Sequence, residues 1–344
     1  MTSLNGRRVL IVGASSGIGA AAARRFAGEG ARLVLLARGE EGLERVAARA
    51  RAAGAEAHVL PADLADRPAV EAAVQEAAMR LGGLDVLLLN AAAVIFGPFE
   101  AAPPEAFDHS IDVTLRAPLW AVRAALPHLD ASGGLVLTTG SLMSQVPLPT
   151  FSSYAAAKHG LRGALNTLAL ELRSRGSRVG VAMVHPGPVD TPMWDTMTSA
   201  TGTLPDPPPD GHDPDVIARA LVVRAERPGR PETTVGLETK AVELLFGLAR
   251  PAADLLLVGV DRWYRSGRLP APAPGALWLA GGTGRESGPL PGRDSLTAAL
   301  WLGPRLLPRS PRSAVRLAGN LGRAALTVAR SPGRLLRAPA APAS

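Results

Sequence analysis

The stretch from Arg7 to Leu36 constrains the fold more than any other. Val9-Leu10-Ile11-Val12 is a short apolar run that reads as a buried strand. It passes into Gly13-Ala14-Ser15-Ser16-Gly17-Ile18-Gly19 and then an alanine-rich helical run ending near Gly28 and Gly30. A second apolar run, Arg32-Leu33-Val34-Leu35-Leu36, follows at once. A glycine-rich turn between strand and helix lets backbone N–H groups approach a pyrophosphate at the helix N-terminus. The returning strand makes the whole a βαβ unit, and Gly13, Ser15, Ser16, Gly17, Ile18 and Gly19 become candidate dinucleotide contacts.

The same alternation continues. A helix over about Glu40–Ala53 leads to a strand at His58-Val59-Leu60, then Asp63-Leu64, and another helix follows Asp66. Leu84–Leu89 reads as a strand running into Asn90-Ala91-Ala92-Ala93, and Pro103–Leu129 is one long helical pattern containing Thr114. Strands at Leu135–Leu137 and Val179–Val184 flank a helix from Tyr154 to about Arg175. The spacing predicts an α/β protein with a doubly wound parallel sheet, whose ligands gather at the strand carboxyl ends. The glycine loop, Arg38, Asp63, Asn90 and Ser141 all fall at such ends. His185–Pro192 forms a proline-rich exit loop, Asp213 caps a helix over Asp215–Ala225, and Thr233–Gly236 reads as a last edge strand.

Ser141 follows one strand, and Tyr154-Ala-Ala-Ala-Lys158 opens the next helix. Residues four apart share a helix face, so the phenol and the ammonium project together. A nearby cation stabilises a phenolate, so a lowered Tyr154 pKa is expected. That makes Tyr154 a candidate general acid or base, with Ser141 free to bond the same substrate oxygen. Alone, such a pair is more often a solvated surface pair; its place after a strand end favours chemistry.

At the end of the second strand stand Ala37 and Arg38, where an acidic residue would bind a ribose 2′-hydroxyl. A guanidinium there can pair with a 2′-phosphate, so NADP(H) is expected over NAD(H). The bland alternative is a solvated loop arginine.

The chain has no cysteine, which excludes disulfides and thiolate metal sites. His185 and His212 lack metal-ligand spacing, so no metal is expected. The N-terminus runs straight into a strand, so no secretory signal is expected. The most apolar late stretch, Leu255–Val258, lies between Asp254 and Asp261 and is too short to span a bilayer. A cytoplasmic placement follows as the expectation. From Trp301 to Ser344 there are eight arginines and no acidic residue. Removing those from the net +7 leaves about −1 for the preceding residues, which argues against nucleic acid as a partner.

Together these pieces resemble the classical short-chain dehydrogenase/reductases over about residues 5–240. The loop is similar to the family's TGxxxGxG, with Val12 where threonine is usual, and Asn90–Ala93 stands at its NNAG-type position. Ser141, Tyr154 and Lys158 match the family's catalytic serine, tyrosine and lysine in order and spacing. The resemblance implies a Rossmann fold, with Asp63 and Leu64 at the adenine and Asn90 and Ala91 along the cofactor. It also implies that Pro186, Gly187, Val189 and Thr191 position the nicotinamide carboxamide. Tyr154 would donate a proton to a carbonyl oxygen held by Ser141 while NADPH delivers hydride, and Lys158 would bind the nicotinamide ribose. A homodimer or tetramer is implied as well. One position departs: Asp112-Val113-Thr114-Leu115 places Thr114 where the family's relay asparagine stands. The chain resembles a subgroup with a long C-terminal extension and this threonine, which reads as tolerated, with a slowed or lost relay as the alternative. Inside a helix its hydroxyl is expected to bond the preceding turn, leaving it a partial relay substitute.

Leu142, Met143, Val146, Met193, Trp194 and Met197 suggest an apolar pocket for a hydrophobic ketone, aldehyde or secondary alcohol. Thr203–Pro209 reads as a mobile lid edge. The chain divides into a cofactor-binding domain over 1–240, a helical and irregular extension over 241–304, and an Arg-rich tail over 305–344. Helical segments over Thr239–Arg265 pack on the sheet edge, extend the pocket or meet a partner. Leu269–Arg293, rich in proline and glycine, reads as irregular or disordered. In the tail Arg309, Arg316, Arg323, Arg330 and Arg337 recur every seven residues. A basic amphipathic helix over Ser313–Arg330 would suit a peripheral membrane contact; a disordered tail is the plain alternative. The competing functional reading is a cofactor-binding but catalytically idle adaptor acting through this tail.

Overall fold

The structure, a computed structural model, describes residues 3–208, 211–227, 231–267, 269–279, 282–290 and 292–293. The Arg-rich tail and its periodic arginines lie outside the described residues. Seven parallel strands form one sheet: β1 (Arg8–Val12), β2 (Arg32–Ala37), β3 (Ala57–Pro61), β4 (Val86–Leu89), β5 (Leu135–Thr139), β6 (Gly180–Pro186) and β7 (Glu232–Val235). Their spatial order is β3-β2-β1-β4-β5-β6-β7. Successive residues point to opposite faces, and both faces are covered, which is why β1, β2 and β4 are apolar over nearly their whole length. Val9, Ile11, Leu33 and Leu35 meet α1 (Gly17–Gly28), α2 (Glu40–Ala52) and α8 (Pro214–Glu226). Leu10, Val12, Val34 and Leu36 meet α3 (Arg67–Leu81), α5 (Ala117–Ser132) and α6 (Ser152–Ser174). Each fully buried leucine of this core contributes about 1.5–3 kcal/mol.

The order reverses between β1 and β4, opening a crevice at their carboxyl ends. There Asn90 and Ala91 donate their backbone N–H groups to the Val12 carbonyl at 2.9 and 3.0 Å. The single helix read over 103–129 is a helical run in three parts. α4 (Pro104–Ile111) passes through a wide π turn at Asp112–Arg116 into α5. Pro118 has no N–H to return to the Thr114 carbonyl, which accounts for the break in α register. At α8 the Asp213 side chain accepts from the Asp215 N–H at 2.8 Å, with Pro214 preset in the first turn.

After the edge strand β7 comes a helical hairpin. The short α7 (Met193–Thr196) lies before it in the chain, and the hairpin itself is α9 (Leu237–Leu248) and α10 (Arg250–Tyr264). Tyr264 packs with Phe151, Trp194, Met197 and Leu290 in a third apolar cluster, so α10 extends the pocket, while α9 lies on the sheet edge, where Thr234 Oγ1 donates to Glu243 at 2.8 Å. Of the two readings of Leu269–Arg293, irregular or disordered, the described residues take the irregular one. They nonetheless pack: Leu277 and Leu290 are buried and carbonyls of the stretch accept hydrogen bonds from Arg45 of α2 and from Arg38, just past β2. Thr203–Pro208 is also tied down, through Leu204 N–H to Leu269 O at 2.8 Å and Trp263 Nε1 to Pro207 O at 3.2 Å. Among the described residues no helix is long and apolar enough to cross a membrane.

Candidate active site

A cavity of about 1550 Å³ runs along the carboxyl ends of the strands, from the glycine loop to the α10 face. At the loop, Gly13 has φ +86°, and a Cβ there would lie 2.5 Å from the Ala91 nitrogen. A Cβ on Gly19 would lie 2.0 Å from the Gly13 carbonyl oxygen, so the first turn of α1 closes on the loop only because both residues are glycine. Asn90 Nδ2 donates to the Gly13 carbonyl at 2.9 Å and fixes the loop against β4. Ser16 gives α1 no side-chain cap. A glycine crevice at a helix N-terminus that has no side-chain cap fits the phosphates of a dinucleotide.

The walls gather most of the residues singled out by sequence. Gly13, Ser15, Ser16, Gly17, Ile18, Arg38, Leu64, Asn90 and Ala91 line one end; Pro186, Gly187, Val189 and Thr191 line the middle with Ser141, Tyr154 and Lys158. Gly19 acts behind the loop, as above. Asp63 stands off the cavity, its carboxylate accepting from the Ala65 N–H at 3.0 Å. Arg38 lines the cavity, yet its guanidinium donates to the carbonyls of Leu277 and Ala276 at 2.9 and 2.8 Å. No sequence signal pairs residues that far apart.

Ser141 is held at the end of β5 by a reciprocal turn. Its N–H donates to Ser144 Oγ, and its own Oγ accepts from the Met143 N–H, both at 3.1 Å. Its hydroxyl acts on Tyr154, drawing the phenol's pKa down. The Tyr154 ring is only half-buried and faces the cavity, but its hydroxyl lies deep among protein atoms. Burial therefore pushes the Tyr154 pKa up to about 12, against a smaller downward pull from Ser141. This corrects the expected depression. Lys158 Nζ lies 5.6 Å from the centre of the Tyr154 ring and donates to the Thr139 carbonyl at 2.8 Å. Burial lowers its own pKa to about 8, which weakens it as a permanent cation.

Thr114 is fully buried and bonds Ala93 rather than its preceding turn. Its Oγ1 accepts from the Ala93 N–H at 2.9 Å and donates to the Ala93 carbonyl at 3.2 Å. Ser110 Oγ donates to the same carbonyl at 2.8 Å. The π turn carries Thr114 toward the loop after β4, and that departure from α geometry is invisible to helix periodicity.

Of the apolar residues expected around a substrate, Leu142, Met143, Met193, Trp194 and Met197 line the cavity, whereas Val146 is sealed in the core. Further lining comes from Phe151 and from Leu256, Val260, Trp263 and Tyr264 of α10. Their helical spacing was legible, but not which neighbour they would face. His185 is fully buried beneath Gly140, where a Cβ would lie 2.3 Å from its ring nitrogen, and burial lowers its pKa to about 4.

A parallel sheet in this order, a glycine crevice at its switch point and a Ser–Tyr–Lys wall define a dinucleotide-dependent oxidoreductase class. The sequence profile of the short chain dehydrogenase family matches residues 7–202, and the chain belongs to that family. It is 30% identical over 265 residues to an oxidoreductase of Bacillus subtilis, YxnA, covering 75% of this chain and 73% of that one. It is 35% identical over 193 residues to 3beta-hydroxysteroid dehydrogenase 1 of Eggerthella lenta, covering 55% and 73%. A metagenomic short-chain oxidoreductase crystallised with NADP superposes with a TM-score of 0.57 at 33% identity, covering 68% of this chain and 98% of that one.

Proposed function

We propose that the protein is an NADP(H)-dependent oxidoreductase that interconverts a bulky hydrophobic ketone or aldehyde and its alcohol. The observation that carries this reading is the convergence of Ser141, Tyr154 and Lys158 on one wall of a cavity that joins the glycine loop to an apolar chamber. Gly13–Gly19, Asn90 and the Pro186–Thr191 loop would hold the cofactor, and Arg38 would meet its 2′-phosphate. When bound, its nicotinamide supplies or accepts hydride.

The chain's own groups do the rest. Tyr154 holds the proton that moves to or from the substrate oxygen, and Ser141, oriented by its turn, bonds that oxygen beside it. A tyrosine at about 12 keeps its proton near neutral pH, which suits it to donation and so to carbonyl reduction. Lys158 reaches the ribose side while anchored on Thr139. Thr114 keeps Ala93 and the loop after β4 in place. Trp194, Met197, Phe151 and Trp263 offer apolar surface, which favours an alicyclic or long-chain substrate over a sugar. The named activity of the Eggerthella relative supports trying steroid alcohols and ketones first. The tail over 305–344 remains our proposal for a peripheral membrane contact, carried by its sequence alone. No observation favours the idle adaptor.

The test is NADPH oxidation against a panel of hydrophobic ketones, with wild type and Tyr154→Phe. The expected result is turnover in the wild type that falls on the order of 10²–10⁴-fold in the variant, with NADPH still bound. Turnover indifferent to Tyr154 would remove the reading.

A further inference from the structure

The chain after α10 returns to the glycine loop in two described stretches, 276–279 and 282–290. The Gly17 N–H, at the mouth of α1, donates to the Arg285 carbonyl at 2.8 Å, and the Gly284 N–H donates to the Ser15 carbonyl at 3.0 Å. Arg45 reaches the Thr283 and Gly282 carbonyls at 3.0 and 2.9 Å, and Arg24 holds the Glu286 carboxylate at 2.8 Å. Asp190 Oδ1 accepts from the N–H groups of Gly288 and Leu290 at 3.1 and 2.7 Å. Leu277 is 2% exposed. This strap is anchored at both ends and roofs the adenosine end of the cavity, where Leu277, Gly282 and Thr283 face Ser15 and Arg38.

Its position over Arg38 has a chemical consequence. Both terminal nitrogens of the guanidinium already donate to strap carbonyls. A carbonyl oxygen carries partial negative charge, so the docked strap offers a phosphate repulsion where Arg38 alone would offer two donors. A ribose 2′-hydroxyl, by contrast, can donate to a carbonyl.

We infer that the strap is a cofactor-specificity element: docked on Arg38 it opposes a 2′-phosphate and tolerates a bare ribose, and NADP(H) binds with the strap released from Arg38. The inference rests on the reading of Arg38 as the 2′-phosphate ligand. NADP(H) binding and strap docking are then competitive, and the affinity for NADP(H) is reduced by the fraction of molecules with the strap down.

Gly42 allows a clean test. It lies on the buried face of α2, outside the cavity wall, and the nearest atoms to a Cβ there belong to the strap: the Gly282 carbonyl oxygen at 2.3 Å and its carbon at 2.7 Å. Gly42→Ala also suits a helix interior, so the fold is retained. Glu286→Lys, facing Arg24, loosens the strap independently. NADPH and NADH dissociation constants are measured by nicotinamide fluorescence, and exchange of the Gly284, Gly288 and Leu290 amides by hydrogen–deuterium exchange. Both variants should exchange these amides faster and bind NADPH at least about five-fold more tightly, with NADH within about two-fold. In the wild type, saturating NADPH should speed exchange at the same amides and NADH should not. Slower exchange with NADPH in the wild type overturns the inference. So does unchanged NADPH affinity in a variant whose strap amides exchange freely, and if NADPH still binds there better than NADH, the reading of Arg38 stands. No NADPH preference even with the strap loosened removes the Arg38 reading and the inference with it.

Discussion

Lys158 Nζ donates to the Thr139 carbonyl at 2.8 Å, so a buried ammonium is tied to the last residue of β5, two residues before Ser141. One bond thus couples α6 to the strand end that carries the serine. It also leaves a lysine in a place that disfavours its charge.

Burial takes Lys158 from its ordinary 10.5 to about 8 on folding. The native state therefore bears a cost that is full below about pH 8. The cost fades as pH rises toward 10.5, because in that window the unfolded chain keeps the proton that the native state has released. Lys158→Met should be more stable than the wild type by about 1–3 kcal/mol at pH 7, with turnover lost. Thermal melts from pH 6 to 10.5 should show the gap closing; no gap at pH 7 would mean the Thr139 bond offsets the burial.

Thr114→Val keeps the shape of the side chain but leaves the Ala93 N–H without its acceptor. A loss of about 1–3 kcal/mol is expected in urea unfolding, and Thr114→Ser should recover most of it. A valine variant as stable as the wild type would show that Ser110 suffices to hold Ala93.

Asp85 closes the opposite end of the sheet. Burial pushes its pKa up, but the side-chain and backbone hydrogen bonds of Arg8 and the charges of Arg8 and Arg7 outweigh this and hold it below 3.8. A depressed carboxylate stabilises above its unfolded pKa and loses that contribution as pH falls through the folded one. Asp85→Asn should cost about 1–3 kcal/mol at pH 7, and its deficit in melting temperature should narrow in acid below pH 3.8. An equal deficit at every pH would point to shape rather than charge.

Trp263→Ala removes an indole that lines the cavity and donates to Pro207. KM for a bulky hydrophobic carbonyl should rise about ten-fold, ~1.4 kcal/mol, with small carbonyls and NADPH binding little changed. A uniform loss across substrates would place Trp263 in the support of α10 instead.

Much of the scaffold was legible because it is local. The apolar runs at Val9–Val12 and Leu33–Leu36, the glycines between them and the Tyr154–Lys158 spacing each depend on residues close in the chain. The Asp213 cap and the edge strand near Thr233 followed from the same short-range rules. Thr114 was harder, since a π turn shifts a helical face without changing the apolar pattern. The packing of the stretch after Leu269 was hidden for a related reason. Its glycines look like irregular chain, but Gly282 and Gly288 are small where backbone passes against Ser15 and Thr191.

By itself the sequence determined a parallel α/β sheet, its glycine loop and the side chains set at the strand ends, through hydrophobic period, turn residues and side-chain type. Tertiary structure alone decided which partners those residues meet and how they ionise. Arg38 meets Leu277 across 239 residues of chain. Tyr154 and Lys158 have shifted pKa values because many distant segments together exclude water from them. Burial is a sum over the whole fold, and no local pattern contains it.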